Sequence, residues 1–273
     1  MRKVFKELFV HPFPLAAIVK KSIKKLHVGS YEFRLSIEAV ERPHYGYCVY
    51  NAALLAKRLG YQRISVLEFG VAGGRGLINL EYHASQISKL FGIDIDIYGF
   101  DTGEGLPEPI DYRDLPYHWK KGFYKMDVSS LQARLKKTKL ILGDIKDTSK
   151  DFFEKHNPAP IGAIAHDLDF YSSTVAALNM MEADERFYLP RVFHYFDDII
   201  GSEIELYNDY TGERLAINEF NRLHNCIKFG PAYHLLAKRV VERWYHKIWI
   251  SHFFKHSRYN DFVSTENQQS YIR

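Results

Sequence analysis

The stretch ISVLEFGVAGGRGLINL, residues 64–80, predicts how much of the chain folds. It opens with a β-rich run, ISVLEFG (64–70), and a helical pattern begins at Leu77. Between them lies a glycine cluster at positions 70, 73, 74 and 76. Glycines at such a turn let the backbone bend sharply and let a ligand approach the main chain. The stretch therefore predicts a strand, a ligand-binding turn and a helix in succession.

The alternation of strand and helix continues along the chain. Further strands are predicted over 94–101, 139–144, 161–169 and 191–198, helices over 46–60, 77–92, 173–183 and 212–225, and a closing pair of strands over 226–240 and 247–254. This alternation is typical of a parallel sheet covered on both faces. We predict an α/β fold: a Rossmann-like, mostly parallel sheet of seven strands, with helices on both faces and an N-terminal helical extension.

Composition and charge divide the chain into three parts. We predict a basic and aromatic extension over 1–45, one large domain over 46–256 and a polar tail over 257–273. The net charge of +4 comes from residues 1–30, which hold seven basic residues and one acidic residue. The rest of the chain is slightly acidic, so a groove that follows nucleic-acid phosphates is not expected.

The basic residues 1–30 allow three roles. They could pack on the domain, form part of a homodimer interface or contact a membrane surface peripherally. No apolar run reaches the roughly 20 residues of a membrane span, and FPLAAIV is too short for a signal-peptide core. Cys48 and Cys226 form no disulfide framework. We therefore expect a cytoplasmic protein.

The glycine turn favours one of two nucleoside cofactors. Its residues do not fit the G-x-G-x-x-G spacing of a dinucleotide site, and Glu68 at its start would repel a pyrophosphate. S-adenosylmethionine (SAM) has no phosphate and carries an ammonium group, which suits an acidic turn. NAD remains the alternative.

Aspartates end the next two strands. Asp101 could accept hydrogen bonds from both ribose hydroxyls, or it could cap its own DTGEG turn. Asp144 could accept from the adenine amino group, or it could be a helix N-cap.

Four more aspartates follow the fourth and fifth predicted strands. Asp167 and Asp169 are two residues apart, so on an extended strand they would face the same way, and Asp197 and Asp198 end the neighbouring strand. Parallel neighbours lie about 4.8 Å apart, which would bring up to four carboxylates into one cavity. Mg²⁺ prefers such hard oxygen ligands. Helix capping is the alternative, but capping needs only one acid per helix.

In this order and spacing, VLEFGVAGG, YGFDTGEGLP, GDIKDT, DLDFYSST and YFDDI resemble the class I SAM-dependent methyltransferases. Within that class the chain is most similar to the TylF family, the macrocin and mycinamicin sugar O-methyltransferases. The resemblance spans roughly residues 60–225 and implies the class I methyltransferase sheet. It also implies Mg²⁺-dependent methylation of a hydroxyl on a small molecule, typically a sugar of a natural product.

The resemblance also implies residue roles. The metal ligands would be Asp167, Asp197 and Asp198. The expected SAM contacts are Glu68, Gly70, Val71, Ala72, Gly73, Gly74, Asp101, Thr102, Asp144 and Asp167.

The base and the acceptor remain open at the level of sequence. Asp169 and His166 are candidates for the base, with His194 as a further one. The aromatic stretches RPHYGY (42–47) and LPYHWKKGFYK (115–125) suit an acceptor entrance or subunit packing. A nucleotide-sugar glycosyltransferase that uses the DLD motif is the alternative function, and a non-catalytic or membrane-docking relative is the third.

Overall fold

A computed structural model describes residues 14–264 of the chain. This part contains a seven-stranded sheet in the order β3-β2-β1-β4-β5-β7-β6. The strands are β1 (Arg63–Phe69), β2 (Asp94–Asp101), β3 (Lys139–Leu142), β4 (Ile161–His166), β5 (Tyr188–Phe196), β6 (Ile227–Pro231) and β7 (Ile248–Phe253). Strands β1 to β5 pair in parallel, whereas β7 runs antiparallel to both of its neighbours. The predicted α/β class and the mostly parallel sheet are confirmed.

Helices precede the sheet and connect its strands. They are α1 (Pro14–Leu26), α2 (Tyr31–Ser36), α3 (Pro43–Arg58), α4 (Arg75–Phe91), α5 (Val128–Arg134), α6 (Ile145–His156), α7 (Tyr171–Leu178), α8 (Gly212–Leu223) and α9 (Tyr233–Leu236). Within residues 14–264, no helix is both long and apolar enough to cross a membrane. The first part of the predicted basic extension, residues 1–13, and the end of the tail, 265–273, lie outside the described residues.

Both faces of the sheet are buried. Alternate side chains of β1 point to opposite faces, so Ile64 and Val66 join one core while Leu67 and Phe69 join the other. The first core includes side chains of α3 and α4, and the second includes side chains of α6, α7 and α8. Burying each large apolar side chain contributes about 1.5–3 kcal/mol. The two cores hold the strands in one register.

That register aligns the carboxyl ends of the central strands. Phe69 at the end of β1 pairs with Phe100 of β2 and with His166 of β4, and His166 pairs with Phe196 of β5. The loops that follow these strands therefore begin side by side at the same edge of the sheet. Ligands bind at this edge in open parallel sheets.

Two predicted elements are wrong in part. The fourth strand ends at His166, so DLD is a loop, and Asp169 has a left-handed backbone with φ 57°. The expectation that Asp167 and Asp169 face the same way along a strand therefore fails. The sixth strand ends at Pro231, which has no N–H to continue a ladder, and the short helix α9 follows. The sequence patterns also do not predict α2 and α5.

Candidate active site

A cavity of about 280 Å³ opens at the carboxyl edge of the sheet. Its floor and walls come from the residues that follow β1, β2, β3, β4 and β5, and from the loop between β2 and α5. Of the predicted site residues, those that line it are Gly70, Ala72, Asp101, Thr102, Asp144, Asp167, Asp169, Asp197 and Asp198. Those that do not are Glu68, Val71, Gly73, Gly74 and His166.

The glycine turn is shaped by close backbone packing. Gly70 has φ 79°, and a Cβ there would lie 1.8 Å from the carbonyl oxygen of Asp167. Only glycine therefore allows the β1 and β4 ends to approach one another. A Cβ on Gly73 would meet nothing within 4 Å, so the turn leaves open space on this side. A ligand could approach the main chain there.

Asp101 fastens the glycine turn to the end of β2. Its Oδ2 accepts hydrogen bonds from the N–H groups of Val71 and Ala72, both at 2.8 Å. Its Oδ1 accepts from Gly103 N–H at 2.7 Å, which is the turn cap considered from the sequence. The carboxylate thus holds two loops in place and still lines the cavity.

The neighbouring polar residues also shape the loops. The Thr102 hydroxyl donates to the Gly105 carbonyl at 2.8 Å. Asp144 is the N-cap of α6, since its Oδ1 accepts from Lys146 N–H at 2.8 Å. The N-cap interpretation of Asp144 is therefore confirmed, and its place in the cavity wall leaves a second role open.

Glu68 lies beneath the glycine turn, outside the cavity wall. Its Oε1 accepts a hydrogen bond from the Tyr45 hydroxyl at 2.8 Å, and its buried Oε2 has no partner among the described residues. A Cβ on Gly76 would lie 2.0 Å from Oε1, so glycine lets α4 begin directly over this carboxylate. Burial raises the pKa of Glu68 to about 8.

Three carboxylates meet across the ends of β4 and β5. One oxygen each of Asp167, Asp197 and Asp198 can be chosen so that all three lie within 4.8 Å of one another. Asp197 and Asp198 lie in a single 3₁₀ turn directly after β5, and Asp167 directly follows β4. We call these three residues the acidic triad.

Lys247 and Tyr195 hold one side of the triad. The Lys247 ammonium lies 2.8 Å from Asp197 Oδ1 and also donates to the Asp197 carbonyl. The Tyr195 hydroxyl donates to the same Oδ1. Burial raises the pKa of Asp197, but the Lys247 ammonium and the Tyr195 hydrogen bond together offset this and leave the pKa below its ordinary value. Both donors use Oδ1, which leaves Oδ2 available to a ligand.

Backbone groups and a second buried acid hold the other side. Asp198 Oδ2 accepts from Asp169 N–H at 2.9 Å, and Asp198 Oδ1 accepts from the Tyr207 hydroxyl at 3.1 Å. The Asp198 N–H donates to Glu213 Oε2 at 2.9 Å. Glu213 is fully buried in the first turn of α8, and its Oε1 has no partner among the described residues.

The cluster holds more negative charge than its neighbours neutralise. Burial, followed by the charge of Asp198, raises the pKa of Asp167, Asp169 and Glu213. Burial and Asp197 raise the pKa of Asp198 to about 7. Lys247 is the ammonium in direct contact with this cluster within residues 14–264. Five carboxylates with one such partner form a cation-attracting site.

The structure contradicts His166 as a base. Its ring is fully buried and stacks on Phe196, with ring centroids 4.2 Å apart. Its Nε2 pairs with Nδ1 of His194 at 3.0 Å, and His194 Nε2 pairs with the Ser251 hydroxyl at 2.9 Å. Both histidines point into the sheet core, because β4 and β5 turn these positions away from the cavity. The further candidate His194 is excluded for the same reason.

The loop between β2 and α5 forms the outer wall of the cavity. Leu106, Trp119 and Tyr124 line it, and the buried Trp119 Nε1 has no partner among the described residues. The Tyr117 hydroxyl donates to the Glu205 carbonyl at 2.6 Å, which joins this loop to the segment after β5. The aromatic stretch 115–125 thus lies at the cavity, as expected for an acceptor entrance.

Sequence reasoning missed several groups around the triad. Lys247 was interpreted as the first residue of a strand, and Glu213 as part of a helix. A lysine beside an apolar strand and an acid in the first turn of a helix are weak signals, because both are common on solvated surfaces. Tyr45 lies in the aromatic stretch 42–47, which was noted without a role for this residue.

This sheet and this edge are those of the class I methyltransferase fold. The fold is shared with two solved structures, the calicheamicin methyltransferase CalS11 and the O-methyltransferase NovP. CalS11 aligns with a TM-score of 0.53 and 16% identity, over 89% of this chain and 93% of its own. NovP aligns with a TM-score of 0.50 and 12% identity, over 92% of this chain and 96% of its own. No family model matches the chain, and no curated protein matches its sequence.

At these identities the likeness shows the fold alone. It confirms the predicted class I methyltransferase sheet and does not favour the glycosyltransferase alternative. What the chain does must therefore be argued from the site.

Proposed function

We propose that this protein is a Mg²⁺-dependent O-methyltransferase that moves a methyl group from SAM to a hydroxyl of a small molecule, a sugar or a glycosylated natural product. One observation carries the proposal. The acidic triad and the glycine turn border the same cavity, at the ligand-binding edge of a methyltransferase sheet.

The residues present fit SAM. Gly70 and Ala72 of the glycine turn line the cavity and would receive the methionyl part, and Asp101 and Asp144 line it at the ends of β2 and β3. Glu68 lies beneath the turn with its buried Oε2 unpartnered among the described residues, and a SAM contact through Glu68 stays a prediction. When bound, SAM supplies the methyl group, whose bond to sulfur breaks as its bond to the acceptor oxygen forms, leaving S-adenosylhomocysteine.

The triad fits a hard divalent cation. Its ligand atoms are three carboxylate oxygens, and Mg²⁺ prefers such oxygens and retains waters beside them. A bound Mg²⁺ lowers the pKa of a hydroxyl that it coordinates. Lys247, Tyr195 and Glu213 hold the triad in place through the contacts described above.

Asp169 is the group we assign as base. It lines the cavity beside the triad, and its side chain makes no hydrogen bond among the described residues that would occupy its oxygens. Its backbone N–H bond to Asp198 fixes the left-handed turn that presents it. Asp169 would take the proton of the acceptor hydroxyl, while the narrow cavity holds the two reactants together.

The remaining sequence-based assignments stay predictions. They are a cytoplasmic location, a homodimer, peripheral membrane contact through residues 1–30 and the absence of a nucleic-acid partner. The proteins that share the fold do not test them.

Calorimetric titration with SAM, with and without Mg²⁺, tests the function, and two matched variants separate the roles. We expect Asp167→Asn to weaken the binding of Mn²⁺, followed by its electron paramagnetic resonance signal. Asp169→Asn should keep both Mn²⁺ and SAM binding yet lose roughly 10²–10⁴-fold in methyl transfer once an acceptor is found. Absence of SAM binding in the wild-type protein would remove the methyltransferase proposal.

A further inference from the structure

A second cleft, lined by basic residues, lies between the N-terminal helices and α4. Its volume is about 580 Å³. It is lined by Lys21, Lys24, Lys25, His27, Arg34, Ala39, Val40, Glu41, Asn79 and Tyr82. Five of these side chains are basic and one is acidic, so the cleft attracts anions.

Part of this positive charge has no counter-charge. Lys24 pairs with Glu41, which is the acid of the cleft. Lys21 and Lys25 are exposed and form no ion pair within the described residues. The cleft therefore keeps a net positive charge after its internal pair is formed.

Arg34 is the most informative residue of the cleft. Its side chain is only 8% exposed, and its Nε has no hydrogen-bond partner among the described residues. A buried guanidinium N–H without an acceptor is costly, by about 1–3 kcal/mol or more for a charged group. A buried cationic donor without an acceptor, on a residue that lines a basic cleft, is a reason to expect an anionic ligand there.

The basic surface continues toward the candidate active site. A neighbouring cleft shares Glu41, Asn79 and Tyr82 with the first, and adds Arg42, Arg75 and Arg134. Arg75 begins α4 directly after the glycine turn, and Arg42 precedes α3. The Arg42 guanidinium lies 5.3 Å from the ring centroid of Tyr45, whose hydroxyl donates to Glu68 beneath the glycine turn.

We propose that these two clefts form one phosphate-binding groove. A guanidinium fork with flanking lysines and arginines is the arrangement that recognises phosphate oxygens.

The phosphate can come from two sources. One is a soluble phosphate ester, and the other is the headgroup of an anionic lipid. The outer surface of α1 and the turn after it expose Ile18, Val19, Leu26 and Val28, which suits a lipid surface. The experiment below distinguishes the two.

The first arm measures binding of inorganic pyrophosphate by calorimetry, in metal-free buffer and without SAM. We expect binding that the double variant Lys21→Gln/Lys25→Gln weakens roughly tenfold or more, since each charge-assisted bond contributes about 1.5–3 kcal/mol. Arg34→Met should remove it. The double variant Lys57→Gln/Lys89→Gln is the matched control, because it removes the same charge from exposed positions on α3 and α4.

The second arm is co-sedimentation with phosphatidylcholine vesicles, with and without phosphatidylglycerol. If the protein sediments only with vesicles that contain phosphatidylglycerol, and pyrophosphate releases it, the phosphate comes from a lipid headgroup. If the protein binds pyrophosphate but does not sediment with either kind of vesicle, the phosphate comes from a soluble ester. Failure of both ligands to bind, or pyrophosphate binding that the Lys21 and Lys25 substitutions leave unchanged, would overturn the groove. Neither result bears on SAM binding, so the proposed function would stand or fall separately.

Discussion

At the residue scale, the Asp198 side of the acidic cluster is held by neutral donors, whereas the Asp197 side is held by the Lys247 ammonium. Asp198 is held by the Asp169 N–H and the Tyr207 hydroxyl, while its own N–H is fixed by Glu213. These contacts orient the carboxylate without cancelling its charge. Groups behind metal ligands commonly act in this way, and their loss weakens metal binding.

Glu213 should therefore be a positioning residue for the triad. We expect Glu213→Ala to weaken Mn²⁺ binding by roughly 10–100-fold, because the Asp197–Asp198 turn loses its buried acceptor. Glu213→Gln keeps a carbonyl oxygen at this place and should lose much less. The measurement is a Mn²⁺ titration followed by electron paramagnetic resonance, with the melting temperature as a check on folding.

Glu219 provides the control for this prediction. It lies on the same helix, α8, and accepts from the Tyr171 hydroxyl away from the triad. Glu219→Ala should leave Mn²⁺ affinity unchanged. Wild-type affinity in the Glu213→Ala variant would contradict the positioning role.

At the scale of elements, one aspartate joins the loop between β2 and α5 to the helix α7. Asp114 is buried, and its Oδ1 accepts from Ser172 N–H at 2.8 Å, in the first turn of α7. Its Oδ2 accepts from the Ser172 hydroxyl at 2.9 Å and from Ile110 N–H at 2.9 Å. The N–H group in the first turn of α7 is thus satisfied by a carboxylate 58 positions earlier in the chain.

Removing this carboxylate should loosen both elements together. We expect Asp114→Ala to lower the free energy of unfolding by about 1–3 kcal/mol, since it leaves buried donors without an acceptor. It should also speed proteolysis within the loop that carries Trp119. Chemical denaturation and limited trypsin digestion measure the two effects.

Asp127 is the matched control for the loop. It caps α5 from an exposed position, through Ser130 N–H at 3.0 Å. Asp127→Ala should lower stability by about 0.5–1 kcal/mol, as a local cap does, without exposing the loop. Equal effects of the two substitutions would show that Asp114 acts only as a local cap.

At the scale of the whole molecule, buried neutral histidines make stability depend on pH. His83 is a buried residue of α4, and its Nδ1 pairs with the Tyr31 hydroxyl of α2 at 2.7 Å and its Nε2 with the Glu41 carbonyl at 2.9 Å. Burial lowers the pKa of His83 to about 4. The unfolded chain therefore binds a proton below its ordinary pKa of about 6.5, while the folded chain does not.

The contribution of His83 to the free energy of unfolding is fully present above pH 6.5 and is lost as the pH falls toward 4. Between pH 7 and pH 5 this loss amounts to about 2 kcal/mol. We expect His83→Gln to remove it, so the difference in unfolding free energy between wild-type and variant should shrink as the pH falls. The buried carboxylates act in the opposite direction, and comparing the two proteins at each pH cancels their effect.

Urea denaturation at a series of pH values measures this difference. His224→Gln is the control, because its ring is partly exposed and pairs with Glu182. If the difference in unfolding free energy between the wild-type protein and His83→Gln does not vary with pH, His83 is not a buried, neutral side chain in the folded protein.

Much of the fold was readable from local patterns. The strand β1, the glycine turn and the helix α4 appear where ISVLEFGVAGGRGLINL predicted them, because alternation of apolar residues and glycine placement act over neighbouring residues. Aspartates were also expected at the strand ends, and they line the cavity. The reason assumed for Asp169 was wrong, since its strand ends three residues earlier.

What the sequence by itself determined is which residue types stand at which strand ends, and hence the class of sheet. Only the tertiary structure decided which of them meet. It turned His166 into the core, brought Lys247 and Glu213 against the triad and placed Arg34 in a basic cleft. The physical reason is that periodicity is local, whereas register, burial and the partner of each charge depend on contacts between residues far apart in the chain.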